Sequence, residues 1–121
     1  MAGNLWTEEE IMERAGTGEI QISQFTKTTL LNQAQHCTLS CTQMTDPKGF
    51  PLHLHEHHDE VIIILEGEGE VVVGDQHHVL KKGGVYFVPR GTPHTPRMNC
   101  LLLSIYSPPF DLQNPDRIIL E

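Results

Sequence analysis

Basic clusters are scarce in this chain. No run of Lys or Arg exceeds Lys81-Lys82, and 8 basic residues stand against 16 acidic ones, for a formal net charge of −8. The pI is near 5.4. Such a surface repels phosphate backbones and anionic lipid, so neither nucleic acid nor a membrane is an expected partner. Long apolar runs are also missing: Val61 to Leu65 and Leu101 to Leu103 fall far short of the roughly 20 residues that cross a bilayer. The opening "MAGNLWTEEE" has no basic segment followed by an apolar one. No signal peptide is expected, and the protein reads as soluble and cytoplasmic. Cysteine is limited to Cys37, Cys41 and Cys100, an odd count without secretory context that predicts free thiols. Cys37 and Cys41 fall in a predicted strand, where four residues separate them by about 13 Å, too far for a disulfide. Sharing one strand face with Leu39, they read as small buried hydrophobes.

No repeat of 20 to 50 residues and no low-complexity linker divides the 121 residues. One domain with one core is expected, large enough to fold without a structural metal or disulfide. A metal, where present, is then free to serve function. Its parts are an N-terminal helix and strand extension at 1–25, a core at 35–107 and a C-terminal tail at 108–121. In "WTEEEIMERAGTG", Thr7 can cap a helix over about 8–15, Glu10 completes a capping box, and Trp6 with Ile11 can form a hydrophobic staple. Gly16 or Gly18 would end it.

Beyond Ile20 the chain turns to short segments rich in Val, Ile, Thr and Leu. Strands are predicted at 19–25, 29–32, 35–44, 51–55, 60–66, 69–74, 77–81, 85–88, 100–107 and 117–120. Breaks are predicted at "DPKG" (46–49), "EGEG" (66–69), "GDQ" (74–76), "KKGG" (81–84) and "PRGTP" (89–93). Many short strands and one peripheral helix describe an all-β antiparallel sandwich or barrel.

Chemistry concentrates in "HLHEHHDE", residues 53–60. Strand alternation sends His53 and His55 to one face and Leu52 and Leu54 to the other, so two imidazoles form half of a metal site. Glu60 opens a strand on the same face as Ile62 and Ile64, the side expected to be buried, where a lone carboxylate is costly unless protonated or bound to a cation. Residues 56–59 either form a hairpin loop that sets His55 opposite Glu60 or turn a corner into a facing sheet. Glu56, His57, His58 and Asp59 are read as a solvated connection. The alternative ligand pair His55 and His57 leaves only two residues before Glu60. A fourth ligand must come from elsewhere, and His94 in the rigid "PRGTPH" turn is the natural candidate. His77 and His78 are expected at the surface, Arg90 and Arg97 in solvated turns, and Tyr86 and Tyr106 in the core or along a cavity. The interior face at His36 stays open.

Two motifs carry a family resemblance. Gly49, His53, His55, Glu60 and Gly67 give G-x3-H-x-H-x4-E-x6-G, and Gly83, Pro89, Gly91 and His94 give G-x5-P-x-G-x2-H. Together, over residues 35–107, they resemble the paired motifs of the cupin superfamily. The resemblance implies a double-stranded β-helix or jelly-roll barrel spanning 1–121, holding one divalent transition metal through His53, His55, Glu60 and His94. The first Gly-to-His spacing is three where the family pattern has five, Gly83-Gly84 replaces Gly-Asp, and the terminal Asn falls one position late at Asn99. None of these departures touches a ligand position. A metal-free cupin with a polar cavity is the alternative.

A nitrogen-rich site with one carboxylate suits Fe, Mn, Ni, Cu, Co or Zn over Mg or Ca. Four ligands on an octahedral ion leave two positions for substrate and O2. That favours dioxygenase-type chemistry on a small organic substrate, with Glu60 as ligand or general base. The alternatives are a Lewis-acid isomerase, lyase or cyclase acting on a sugar, uronate or polyketide-like substrate, and a non-catalytic small-ligand-binding barrel. A homodimer is expected, with residues 1–25 and the tail as material to cross between copies.

Overall fold

Two long strands organise the chain. In the computed structural model, which describes residues 5–45 and 49–120, β5 (Asp59–Val73) and β8 (Thr95–Ser107) pair antiparallel from Asp59↔Ser107 to Val72↔Thr95. Their register shifts between Ile64 and Glu66. This bulge adds one residue, Leu65, and reverses which parity faces inward. Glu60, Ile62 and Ile64 are buried before it and Val71 after it. The predicted break at 66–69 is therefore a bend inside one strand. Gly67 takes φ 85°, where a Cβ would stand 2.3 Å from the Asn99 carbonyl oxygen, so the two strands approach more closely than a side chain permits.

The other strands complete the sheet. β1 (Ile20–Ser23), β2 (Thr26–Gln33) and β3 (Thr38–Thr45) lie in that order beside β8, while β6 (Gln76–Lys81) and β7 (Val85–Val88) pair with opposite halves of β5. Curling brings both ends of this sheet to one core, in which Met44 of β3 meets Ile64 of β5, Leu80 of β6, Val88 of β7 and Met98 of β8. A separate two-stranded sheet, β4 (His53–Leu54) with β9 (Ile118–Ile119), flanks the barrel. The result is the predicted all-β jelly-roll barrel with one short helix.

That helix, α1 (Glu8–Thr17), has its capping box: Glu10 N–H donates to Thr7 Oγ1 at 3.1 Å, and Gly18 closes it with φ 55°. Ile11 and Ala15 pack on the outer face of β2, β3 and β8 against Leu31, Cys41 and Leu101, with Trp6 and Leu39 alongside. β3 is thus covered on both faces, which places Cys41 under the helix and turns Thr38 and Ser40 inward. All three cysteines are free.

Several boundaries differ from expectation. β8 begins at Thr95, five residues before the predicted 100, because Pro96 sits where β8 pairs with β5 alone and its missing N–H costs no ladder bond. β3 starts at Thr38, and His36 falls in the exposed turn before it. The predicted strand 51–55 shortens to His53–Leu54. Of the predicted break at 46–49, residues 46–48 lie outside the described residues. The tail, expected as material for crossing to a partner, pairs with β4 of its own chain, Leu54↔Ile118 and His53↔Ile119. Among the described residues, no helix is long and apolar enough to cross a membrane.

Candidate metal centre

Backbone bonds assemble the histidine cluster before any side chain takes part. His53 N–H donates to the His94 carbonyl at 3.1 Å, His94 N–H returns to the His53 carbonyl at 2.8 Å, and Gly91 N–H caps the His55 carbonyl at 2.7 Å. Gly91 has φ 76°, which lets the turn after Pro89 fold back onto β4. The segment carrying His94 is held against β4, and the imidazoles of His53 and His94 lie with centroids 4.3 Å apart.

Each ring is also fixed in tautomer. Nδ1 of His53 faces the Pro51 carbonyl at 2.7 Å, that of His55 the Asp116 carbonyl at 2.6 Å, and that of His94 the Thr92 carbonyl at 2.9 Å. A carbonyl can only accept, so each Nδ1 carries its proton and each Nε2 is the nitrogen free to bind a metal. The three residues are at most 4% exposed, and their available nitrogens lie within 4.8 Å of one another, a group able to hold a metal ion.

Glu60 joins the cluster from β5. Its Oε1 stands 3.4 Å from His55 Nε2 and its Oε2 accepts from Ser104 Oγ at 2.8 Å. Although burial alone would raise the carboxyl pKa, the bond and charge of His55, with help from His94 and Ser104, hold it at about 2. Burial likewise opposes charge on His55, but Glu60 outweighs it and His55 titrates above the usual imidazole range. Burial, reinforced by the neighbouring His94, pushes His53 down to about 3, and burial also lowers His94. Burial and the Glu60 charge push the Tyr106 hydroxyl well above the usual phenol range.

The four residues predicted from the motifs thus converge. His55 and Glu60 meet by turning a corner, since β4 pairs with β9 and not with β5. The alternative pair fails: the His57 side chain is 73% exposed. The loop reading holds for Glu56 and His57, but not for its other two residues. His58 is half-buried between Asp116 Oδ2 at 2.7 Å and the Pro109 carbonyl at 3.0 Å, and Asp59 accepts from Arg90 N–H at 2.9 Å. Arg97 is exposed and pairs with Glu70, and His77 is exposed.

Four residues of the site were not singled out, or only weakly. Ser104 and Tyr106 share the inward parity of Leu102 on β8, a signal present in the sequence once that strand's face is known. Asp116 and Arg117 come from the tail. Asp116 accepts from Glu56 N–H at 3.1 Å and His57 N–H at 2.7 Å while its carbonyl orients His55. Burial raises its pKa, but His58 and these N–H groups hold it at about 2.

Behind the cluster, an interior cavity holds about 580 Å³ of atom-free space, counting the part open to solvent. Its walls are apolar at Met44, Ile62 and Leu102 and polar at Thr26, Thr28 and Ser104. A β-barrel with three tautomer-fixed imidazoles at the edge of such a cavity has the form of a small-molecule site built around a group able to hold a metal ion. A family model for the cupin domain (Cupin_2) matches residues 42–102, half of the chain. The chain belongs to this cupin family.

Several known proteins are similar to it over part or most of the chain. It is 39% identical over 49 residues to quercetin 2,3-dioxygenase of Bacillus subtilis (strain 168), a match over 40% of this chain that spans only 14% of that protein's length. The structure superposes on the nucleoside dehydratase Pac13 of Streptomyces with TM-score 0.74 at 15% identity, over 99% of this chain and 92% of that one. An RmlC-like cupin from Desulfovibrio desulfuricans matches with TM-score 0.61 at 27% identity, over 72% of this chain and 86% of that one.

Proposed function

We propose that this cupin holds one divalent transition metal through His53, His55, His94 and Glu60 and acts as an enzyme on a small organic substrate, with dioxygenase-type chemistry. The observation that carries the reading is the set of three Nδ1-to-carbonyl bonds, which leaves the Nε2 of each ring as the metal-binding nitrogen in a group whose ligand atoms lie within 4.8 Å of one another. This donor set fits Fe, Mn, Ni, Cu, Co or Zn. When bound, the metal supplies positions for O2 and substrate and withdraws charge from the substrate's donor oxygen.

The chain's own groups do the rest. Ser104 donates to Oε2 and holds Glu60 with Oε1 toward His55, where the carboxylate serves either as the fourth ligand or, released from the metal, as the general base that takes a substrate proton. The apolar wall excludes water and orients the substrate's body. The likeness to quercetin 2,3-dioxygenase over 49 residues supports the redox reading. Oxygen uptake by the metal-loaded protein offered catechols, flavonols or β-diketones is the test. Consumption that follows substrate supports the reading, whereas turnover at the same rate under argon assigns Lewis-acid chemistry instead.

We further propose a homodimer. Val79 of β6 and Val85 and Phe87 of β7 are 67%, 61% and 55% exposed on strands at the sheet edge, exposed apolar side chains of the kind a second copy covers. Light scattering should give twice the 13.6 kDa of one chain, and a mass of one chain at working concentration would refute it.

A further inference from the structure

The tail brings one fixed positive charge to the cavity. Arg117 is the sole Lys or Arg among the described residues lining it, and it precedes β9, so the β4–β9 ladder holds it in place. Its guanidinium stands 5.0 Å over the Phe50 ring. Among the described residues it has no carboxylate partner, although 16 acidic residues are available in the chain. It also lines an outer groove with Ile22 and Leu112, both of which line the cavity too, so it stands where the cavity meets that groove.

A second observation points to the same end. Thr26 Oγ1 is buried without a hydrogen-bond partner, Thr26 is 4% exposed, and it lines the same cavity. Ser23, next to Ile22, pairs with Thr26 across β1 and β2, and Ile22 lines both the cavity and the groove that Arg117 borders. An unpaired buried hydroxyl costs free energy that a ligand oxygen would recover.

We propose that Arg117 and Thr26 form a recognition subsite for a small carboxylic acid bearing a second polar oxygen, with Arg117 holding the carboxylate and Thr26 the other oxygen. A guanidinium matches a carboxylate in a two-pronged fork. One such charge balances a monoanion, and the nearby Glu60 carboxylate disfavours a phosphate dianion. The assignment rests on the reading that the cavity receives a small organic ligand, and it names that ligand's class.

Calorimetric titration of protein as purified and after metal removal, with matched acid and amide pairs, decides the point. The pairs are acetate with acetamide, benzoate with benzamide, and phenylacetate with phenylacetamide, with benzenephosphonate and mandelate added. At least one acid should bind about ten-fold or more tightly than its amide in the metal-free protein, and Arg117→Met should abolish that preference without changing metal content. Mandelate should outbind phenylacetate in the native protein but not in Thr26→Val, which removes the hydroxyl at nearly constant volume. Equal binding of every acid and its amide, or a preference that survives Arg117→Met, overturns the carboxylate site. Tighter binding of benzenephosphonate than of any acid overturns the choice of anion, and a mandelate advantage that survives Thr26→Val overturns the role of Thr26. Elemental analysis of the same samples separates the two ideas: metal without acid preference sinks this subsite alone, and acid preference without metal sinks the metalloenzyme.

Discussion

The His94→Ala variant should purify with less than about a tenth of the metal carried by the native protein, and its affinity should fall by at least about 100-fold. Loss of a hydrogen-bond partner to a ligand typically costs 10- to 100-fold, and removal of one of three converging imidazoles is a larger change. The barrel should survive it. The bonds joining residues 53 and 94 are both backbone bonds, which alanine keeps, and the imidazole already borders the cavity. His57→Ala serves as the control, because its exposed ring lies outside the cluster. Elemental analysis beside circular dichroism reads the result. Equal metal in native, His57→Ala and His94→Ala proteins would refute the assignment of His94 as a ligand.

Why His53, His55, Glu60 and His94 were legible while Asp116 and Arg117 were not is a matter of distance along the chain. The first three lie within eight residues, and strand alternation plus one turn suffices to aim them inward. His94 is delivered by Pro89, Gly91 and Pro93, whose backbone preferences are local. The bond from His55 to Asp116, by contrast, joins residues 61 positions apart. Nothing in "NPDRIILE" indicates that it will lie along a two-residue strand next to the ligands. The bend in β5 was missed for a related reason. Gly67 and Gly69 satisfy the local signature of a turn, and only the close approach of Asn99 and Met98 from β8 keeps them within one strand just past the bulge at Leu65. Pro96 likewise argued against a strand on local grounds, and its tolerance depends on β3 not reaching that far along β8.

Stability of the metal-free protein should fall steeply between pH 6.5 and 3, and bound metal should stabilise it at neutral pH but not in acid. His53 titrates near 3 when folded, against an ordinary value of 6.5. The unfolded chain therefore binds more protons over that window, so stability is fully present above pH 6.5 and is lost as pH falls toward 3. At 1.36 kcal/mol per pKa unit, this residue alone sets a ceiling of about 5 kcal/mol, comparable with the whole stability of a small domain. His94, also lowered, acts in the same direction. Glu60, held at about 2 against 4.5, adds a loss below pH 4.5. His55 is raised, so its contribution is present below pH 6.5 and declines as pH rises through its folded value. The maximum should therefore lie near neutrality, above the acid limb. Zn²⁺ at 100 times its dissociation constant adds about 2.7 kcal/mol if it binds only the folded chain. Binding needs all three Nε2 atoms unprotonated, and His55 must give up the proton it shares with Glu60, so the increment should shrink as protons compete. Urea unfolding at pH 7, 5 and 4, with and without Zn²⁺, measures both effects. A midpoint that stays constant from pH 7 to 4 in the metal-free protein would mean that His53 and His94 are not held neutral by burial. A zinc increment that persists undiminished at pH 4 would place the ion on ligands other than these histidines.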